Sequence, residues 1–326
     1  MRDIVVVGAS AGGVTALRQL AASLPADYGG ALCIVMHISP DARSELPAIL
    51  AKAGALPAVH AEDGMAIEAG RLHVAPPDCH LLVERGALRV VRGPRENRHR
   101  PAIDPLFRSA AWTYGPRTVG VVLTGRLDDG TGGLWAIKSC GGTTIVQDPD
   151  TAEYPEMPAN AMALNTIDHC VALDAIAPLL VRLAAEPAAA PAPNAAVAAA
   201  VEAEVEPARL QGRLDAMNRI GALSPFTCPS CRGALWEIDE AGHLRYRCHT
   251  GHAFSHASLL ADQGRAVEEA VYTALRAVVE KAAGLRRLAE RWPDRIPGIS
   301  RDYEDRARQL DETAEVLRGL LAGAAH

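Results

Sequence analysis

Three residue types that together can split an ester stand in three separate segments, each following an apolar run. The run Gly8-Ala9-Ser10-Ala11-Gly12-Gly13 fits the G-x-S-x-G pattern, in which a strand turns sharply into a helix and exposes a serine hydroxyl. Taken alone, Ser10 reads as a helix cap. The same glycines suit a phosphate loop, but Ser10 breaks the G-x-G-x-x-G spacing, and His37 stands where a ribose-binding acid belongs. His37 follows a second apolar run, in Val35-Met36-His37-Ile38-Ser39-Pro40. Asp129 follows a third, in Thr124-Gly125-Arg126-Leu127-Asp128-Asp129-Gly130. Each is ordinary by itself: a surface or structural histidine, an aspartate in a turn. Delivered to one edge of one sheet, they would supply nucleophile, base and orienting carboxylate.

A second constellation lies far down the chain. Cys228-Pro229-Ser230-Cys231 and Cys248-His249-Thr250-Gly251-His252 place three thiols and a spaced imidazole within 25 residues. A Cys-x-x-Cys knuckle aims two thiolates at one tetrahedral centre, and Cys248 with His252 can complete it. His249 is the alternative fourth ligand. A redox dithiol at Cys228 and Cys231 is less favoured, because no thioredoxin-like βαβ pattern surrounds it. Four protein ligands make a closed, structural zinc site, replacing a core that so short a segment cannot build. Arg232, Arg245 and Arg247 are offset by Glu237, Asp239 and Glu240, which favours protein docking or folding over nucleic-acid binding.

The elements that must position these residues follow from the hydrophobic pattern. Residues 3–7, 31–36, 118–123 and 144–147 read as strands apolar on both faces. Residues 13–24 (through Val14, Leu17, Leu20 and Leu24), 44–53, 104–114 and 134–140 read as amphipathic helices. Residues 81–84 and 88–91 flank Arg85-Gly86-Ala87 as a hairpin. The alternation predicts a doubly wound, mostly parallel α/β sheet in three layers, with ligands beyond the carboxyl ends of the strands. From 184 to 208 the chain turns to Ala and Pro without an aromatic residue, an acidic linker or, over 194–206, an Ala-rich helix. Residues 209–256 then form the zinc-ribbon-like segment and 257–326 a helical hairpin broken at Pro293 and Pro297, so that 1–183 is the catalytic domain. The linker predicts two independent units, with chelation unfolding the ribbon and sparing the esterase.

The 326 residues exceed what one core usually holds. With 49% apolar and 22% charged residues the composition is globular, and a net charge of −6 argues against nucleic acid or an anionic membrane as main partner. No apolar run approaches a membrane span, and seven cysteines, mostly scattered, do not form a secreted disulfide framework. A cytoplasmic location is expected.

Residues 8–13, 36–40 and 123–130, with Asn97-Arg98-His99-Arg100-Pro101 leading to 104–110, closely resemble the catalytic domain of the chemotaxis-type protein-glutamate methylesterases. The resemblance covers about residues 1–183. It implies hydrolysis of glutamate γ-methyl esters, and deamidation of glutamines, on the cytoplasmic domains of methyl-accepting chemoreceptors, without a catalytic cofactor. By motif, Ser10 is the nucleophile, His37 the base and Asp129 its orienter. The backbone N–H groups of Ala11 and Arg126 are expected to hold the oxyanion. The family's usual Thr-Gly-Met-Gly-x-Asp-Gly loop here carries Arg126 and Leu127. The chain begins at the first strand, without the receiver domain of the response-regulator type, so control by its own receiver is not expected. The rival from another class is a catalytically idle scaffold using the zinc segment and terminal helices for docking. Apolar stripes on those helices (Leu260, Val267, Val271, Leu275 and Val278; Leu310, Val316, Leu317, Leu320 and Leu321) suggest a hairpin that self-associates or docks on a receptor bundle.

Overall fold

The computed structural model describes residues 1–40, 43–188, 217–218, 220–240, 243–291 and 297–323. Most of the 184–208 linker, its 194–206 helix alternative and the turn expected between Pro293 and Pro297 lie outside the described residues.

Seven parallel strands form the central sheet. They are β1 (Ile4–Ala9), β2 (Ala31–Met36), β3 (Ala58–His60), β4 (Leu72–Val74), β7 (Thr118–Val122), β8 (Thr143–Gln147) and β9 (His169–Val171), in the order β3-β4-β2-β1-β7-β8-β9. Strand β1 is buried along its whole length because its alternate side chains serve two cores. Val5 and Val7 face one, with Leu17 of α1 (Gly13–Ser23), Leu50 of α2 (Leu46–Ala53) and Leu180 of α6 (Leu173–Ala185). Val6 faces the other, with Phe107 of α3 (Ile103–Tyr114), Leu134 of α4 (Thr131–Ser139) and Met157 of α5 (Glu156–Leu164). This two-sided burial is what a parallel sheet with helices on both faces requires. The hairpin of β5 (His80–Glu84) and β6 (Ala87–Val91) adds to the second core.

The chain winds from β1 to one side through β2, then returns to the other side at β7. The sheet order therefore reverses around β1, and a crevice opens beyond the carboxyl ends of β1, β2 and β7. Two sequence expectations need correction. The elements continue past 144–147, the last strand read from the sequence: α5, β9 and α6 follow, and the last helix runs to Ala185. Val14 is 39% exposed rather than on the buried seam, which runs through Gly13, Ala16, Leu17, Leu20 and Ala21.

Beyond the linker, β10 (Ala222–Thr227), β11 (Ala234–Glu240), β12 (His243–Cys248) and β13 (Ala253–Ser255) form an antiparallel four-stranded sheet in sequence order. Leu235, Tyr246, Phe254 and Leu259 make its small core with Cys228 and Cys248. The expected independence of this sheet is not observed, since Met1–Leu259 is one compact unit. The remaining unit, Leu260–His326, holds most of α7 (His256–Arg291) and all of α8 (Pro297–Gly323). The two helices pack as a hairpin through Ala282, Leu285, Ala307, Tyr303 and Leu310, with an Arg286–Asp311 ion pair. No helix among the described residues is long and apolar enough to cross a membrane.

Candidate active site

Ser10 leaves β1 in a turn that ends at Gly12, whose φ of 75° favours glycine. Gly12, not Ser10, caps α1, and no side chain serves that cap, so the capping role does not account for Ser10. The serine N–H donates to the Thr124 carbonyl at 3.0 Å, tying the turn to the loop after β7. Gly125 lies directly against it: a Cβ there would stand 2.9 Å from Ser10 Cβ and 2.4 Å from Met157 Sδ. The serine backbone and Cβ are thus held against the loop after β7.

His37, one residue past β2, lies between Ser10 and Asp129. Its Nδ1 is 3.0 Å from Ser10 Oγ, and its Nε2 is 2.7 Å from Asp129 Oδ2. With Nε2–H donating to the carboxylate, Nδ1 is left as the acceptor facing the serine hydroxyl. That is the connectivity of a serine nucleophile, a base and an orienting acid.

Asp129 is embedded in donors. Besides His37, it accepts from the N–H groups of Ile103 (2.7 Å) and Asp104 (3.3 Å), from Gly130 N–H (3.0 Å) and from Asn97 Nδ2 (2.8 Å). Ile103 and Asp104 open α3, so the carboxylate sits on a helix N-terminus. Asp104 repays this on the neighbouring helix, accepting from Gly130 N–H at 3.1 Å and Gly133 N–H at 2.7 Å at the start of α4. Burial acts to raise the Asp129 carboxyl, but the His37 hydrogen bond and charge and the Ile103 and Asn97 donors outweigh it and hold it well below the carboxylate range. Asp104 moves the other way, raised by burial and by the Asp129 charge. One buried carboxylate is therefore kept ionised beside a second that resists ionisation.

Two further groups come from a turn whose role composition did not reveal. Glu96 N–H donates to His99 O at 3.2 Å and His99 N–H to Glu96 O at 2.9 Å, with Asn97 and Arg98 between them at φ 46° and 73°. Both central residues occupy the left-handed region, as a type I′ turn demands. Asn tolerates this well; a non-glycine residue such as Arg98 pays about 1–2 kcal/mol. The turn lays the His99 ring flat on His37, with centroids 3.6 Å apart and planes inclined by 8°. Burial and then the neighbouring His37 push His99 down to about 3, so this stacked ring is neutral. The Asn97 amide reaches both Asp129 and Asp104 Oδ2, the latter at 2.9 Å. An Asn-Arg pair in sequence announces a turn, but nothing in it announces that the turn faces a triad.

An open cleft lies at the Ser10 hydroxyl, bordered by His37, Ser39, Pro40 and His99 and by Arg95, Arg98 and Arg100. Arg100 is partly engaged by Asp78. Ala11 adjoins Ser10 in the turn, and its carbonyl accepts from Thr124 Oγ1 at 3.0 Å. Arg126 follows Gly125 in the apposed loop, with its guanidinium 5.2 Å from the Tyr154 ring centroid.

The second predicted cluster is also assembled. One ligand atom from each of Cys228, Cys231, Cys248 and His252 lies within 4.8 Å of the others. Cys231 and Cys248 Sγ are 3.7 Å apart, and Cys248 Sγ is 3.5 Å from His252 Nδ1. Tetrahedral zinc with ordinary Zn–S and Zn–N bonds requires S···S and S···N edges of roughly 3.8 and 3.6 Å. The donor set fits that metal. His249 packs instead by Gly233, where an added Cβ would stand 3.0 Å from its ring, so His252 is the fourth member of the group.

Comparison with known proteins identifies the family of the N-terminal part of the chain. Residues 5–180 match the CheB methylesterase family. A Leptospira interrogans protein provisionally named protein-glutamate methylesterase/protein-glutamine glutaminase is 39% identical over 182 residues, 56% of this chain and 94% of that protein. A protein-glutamate methylesterase/protein-glutamine glutaminase of Anaeromyxobacter dehalogenans is 43% identical over 184 residues, 55% of this chain but 51% of that one. The crystal structure of the Thermotoga maritima CheB methylesterase catalytic domain aligns with a TM-score of 0.54 at 31% identity, covering 56% of this chain and 98% of that domain. The family match spans more than half of the chain and the fold is shared: this chain belongs to the CheB methylesterase family.

Proposed function

We propose that the protein is a cytoplasmic esterase that hydrolyses glutamate γ-methyl esters, and deamidates glutamines, on the helices of methyl-accepting chemoreceptors. The observation that carries this reading is the unbroken hydrogen-bond chain from Ser10 through His37 to Asp129, at the floor of an open cleft. Ser10 Oγ attacks the ester carbonyl as His37 Nδ1 takes its proton. The N–H groups of Ala11 and Arg126 hold the oxyanion. Methanol leaves with the proton from Nδ1, and water then splits the acyl-enzyme through the same base, releasing glutamate. Arg95, exposed at the rim of the cleft, favours a substrate helix that carries carboxylates. A catalytically idle scaffold has no use for a buried carboxylate aligned through an imidazole on a hydroxyl. Methylated receptor fragments incubated with the full chain should release methanol; no release from any receptor tried, against an active relative as control, would overturn the reading.

In the Leu260–His326 unit, Leu260, Val267, Val316 and Leu320 remain more than half exposed after the hairpin has formed. That surface would serve docking to a receptor bundle or a second copy, raising the local substrate concentration. Zinc at Cys228, Cys231, Cys248 and His252 would be structural, since four protein ligands leave no open position. Freshly purified, reduced protein should contain about one zinc per chain by elemental analysis. Metal-free protein that also fails to take up added zinc would remove this assignment.

A further inference from the structure

The four-stranded sheet does more than follow the catalytic domain; it grips the turn that reaches the triad. Arg95 O accepts from Ala253 N–H at 3.3 Å, and Asn97 N–H donates to Ala253 O at 2.8 Å, so the 95–97 backbone extends the sheet past β13. Arg247 Nη2 donates to Glu96 Oε1 at 3.0 Å, while Arg108 of α3 takes the other carboxylate oxygen, all three side chains being at most 2% exposed. Ser255 N–H donates to Asn97 Oδ1 at 2.8 Å, and Ser258 Oγ to the same oxygen at 3.3 Å. Ser255 Oγ reaches Asp128, next to Asp129, at 2.7 Å.

These bonds converge on one side chain. The sheet fixes the Asn97 carbonyl oxygen, and that sets the direction of its amide nitrogen, which donates to Asp129. Both residues that the turn presses on the triad, Asn97 and His99, depend on a backbone conformation that Arg98 does not favour by itself. Ala253, the strand residue that holds the turn, adjoins His252 of the metal cluster. We infer that the four-stranded sheet is a positioning element of the esterase, acting through Asn97 on Asp129, and that metal at the Cys/His cluster keeps it in place. The metal would then govern activity without touching substrate. The inference rests on the esterase reading for its kinetic arm only.

The test uses the full chain, zinc-loaded or chelated, as parent, Asn97→Ala and Arg247→Met, assayed on a small methyl ester. Chelation of the parent should lower kcat about 10–100-fold with KM nearly unchanged, the scale of a slightly misplaced catalytic group. Asn97→Ala should lose kcat similarly and then lose almost nothing more on chelation, because both act through one contact. Arg247→Met, folded by circular dichroism, should imitate chelation and carries the test should the chain take up no zinc. The downfield proton of the His37–Asp129 hydrogen bond, read by NMR, should weaken in every impaired form. A chelated parent with full kcat, or losses from chelation and Asn97→Ala that multiply, would overturn the inference. No Ser10-dependent turnover in the zinc-loaded parent would sink the esterase reading instead, and the NMR signal would still decide the coupling.

Discussion

Ser10→Ala is expected to lower kcat/KM for a glutamyl methyl ester by about 10⁴–10⁶-fold, and His37→Ala by a similar factor, with the double variant little worse than either. The non-additivity follows from the geometry. Without the hydroxyl, His37 Nδ1 has no nucleophile 3.0 Å away to deprotonate. Without the imidazole, the hydroxyl keeps its proton and attacks as a poor nucleophile. Each variant thus removes the same step, and residual turnover would reflect only the proposed oxyanion donors at Ala11 and Arg126 and the binding cleft. Neither change threatens the fold, because Ser10 is anchored by its backbone N–H and Asp129 keeps its other donors. Methanol release measured on purified variants checks this. Rates within tenfold of the parent for either single variant would exclude the proposed relay.

The three chemical residues were legible because each follows an apolar run long enough to be read as a strand. The rule that sites lie beyond strand carboxyl ends brings Ser10, His37 and Asp129 together, and the motif resemblance gives each its role. Strands β3, β4 and β9 were missed because three residues are too few to display a period. Spacing alone puts Val14 on the buried seam, whereas Gly13, Ala16 and Leu17 define a seam that leaves it at the edge. The Cys/His spacing encoded its own cluster, because knuckles are local structures. Asn97, His99 and Asp104 lie in segments that carry the family resemblance, but their roles are not legible there, since those roles exist only once three segments meet. The same limit explains the expected independence of the ribbon. Ala/Pro composition describes how a linker behaves, but says nothing about Arg247 seeking Glu96 or Ser255 seeking Asn97 across it.

Asp129→Asn should preserve the shape of the site and still lower kcat by about 10⁴-fold. The carboxylate is surrounded by donors alone: Oδ2 accepts from His37 and Ile103, and Oδ1 from Asn97, Gly130 and Asp104. An asparagine has one accepting oxygen, so its NH₂ must oppose one of these two groups. Facing Asn97 and two backbone N–H groups, the NH₂ leaves three donors opposed. Facing His37 and Ile103, it opposes only the Ile103 N–H, provided the imidazole gives up its Nε2 proton and accepts. That second arrangement is the less costly one. It moves the imidazole proton to Nδ1, which then donates to Ser10 instead of accepting from it, and the base is lost at the atom where it is needed. KM should barely change, because Asp129 lies behind His37 and does not line the cleft. Kinetics on a small methyl ester, with NMR assignment of the ring proton in parent and variant, test both halves. A kcat within tenfold of the parent, or a ring proton that stays on Nε2, would show that Asp129 does not set the tautomer.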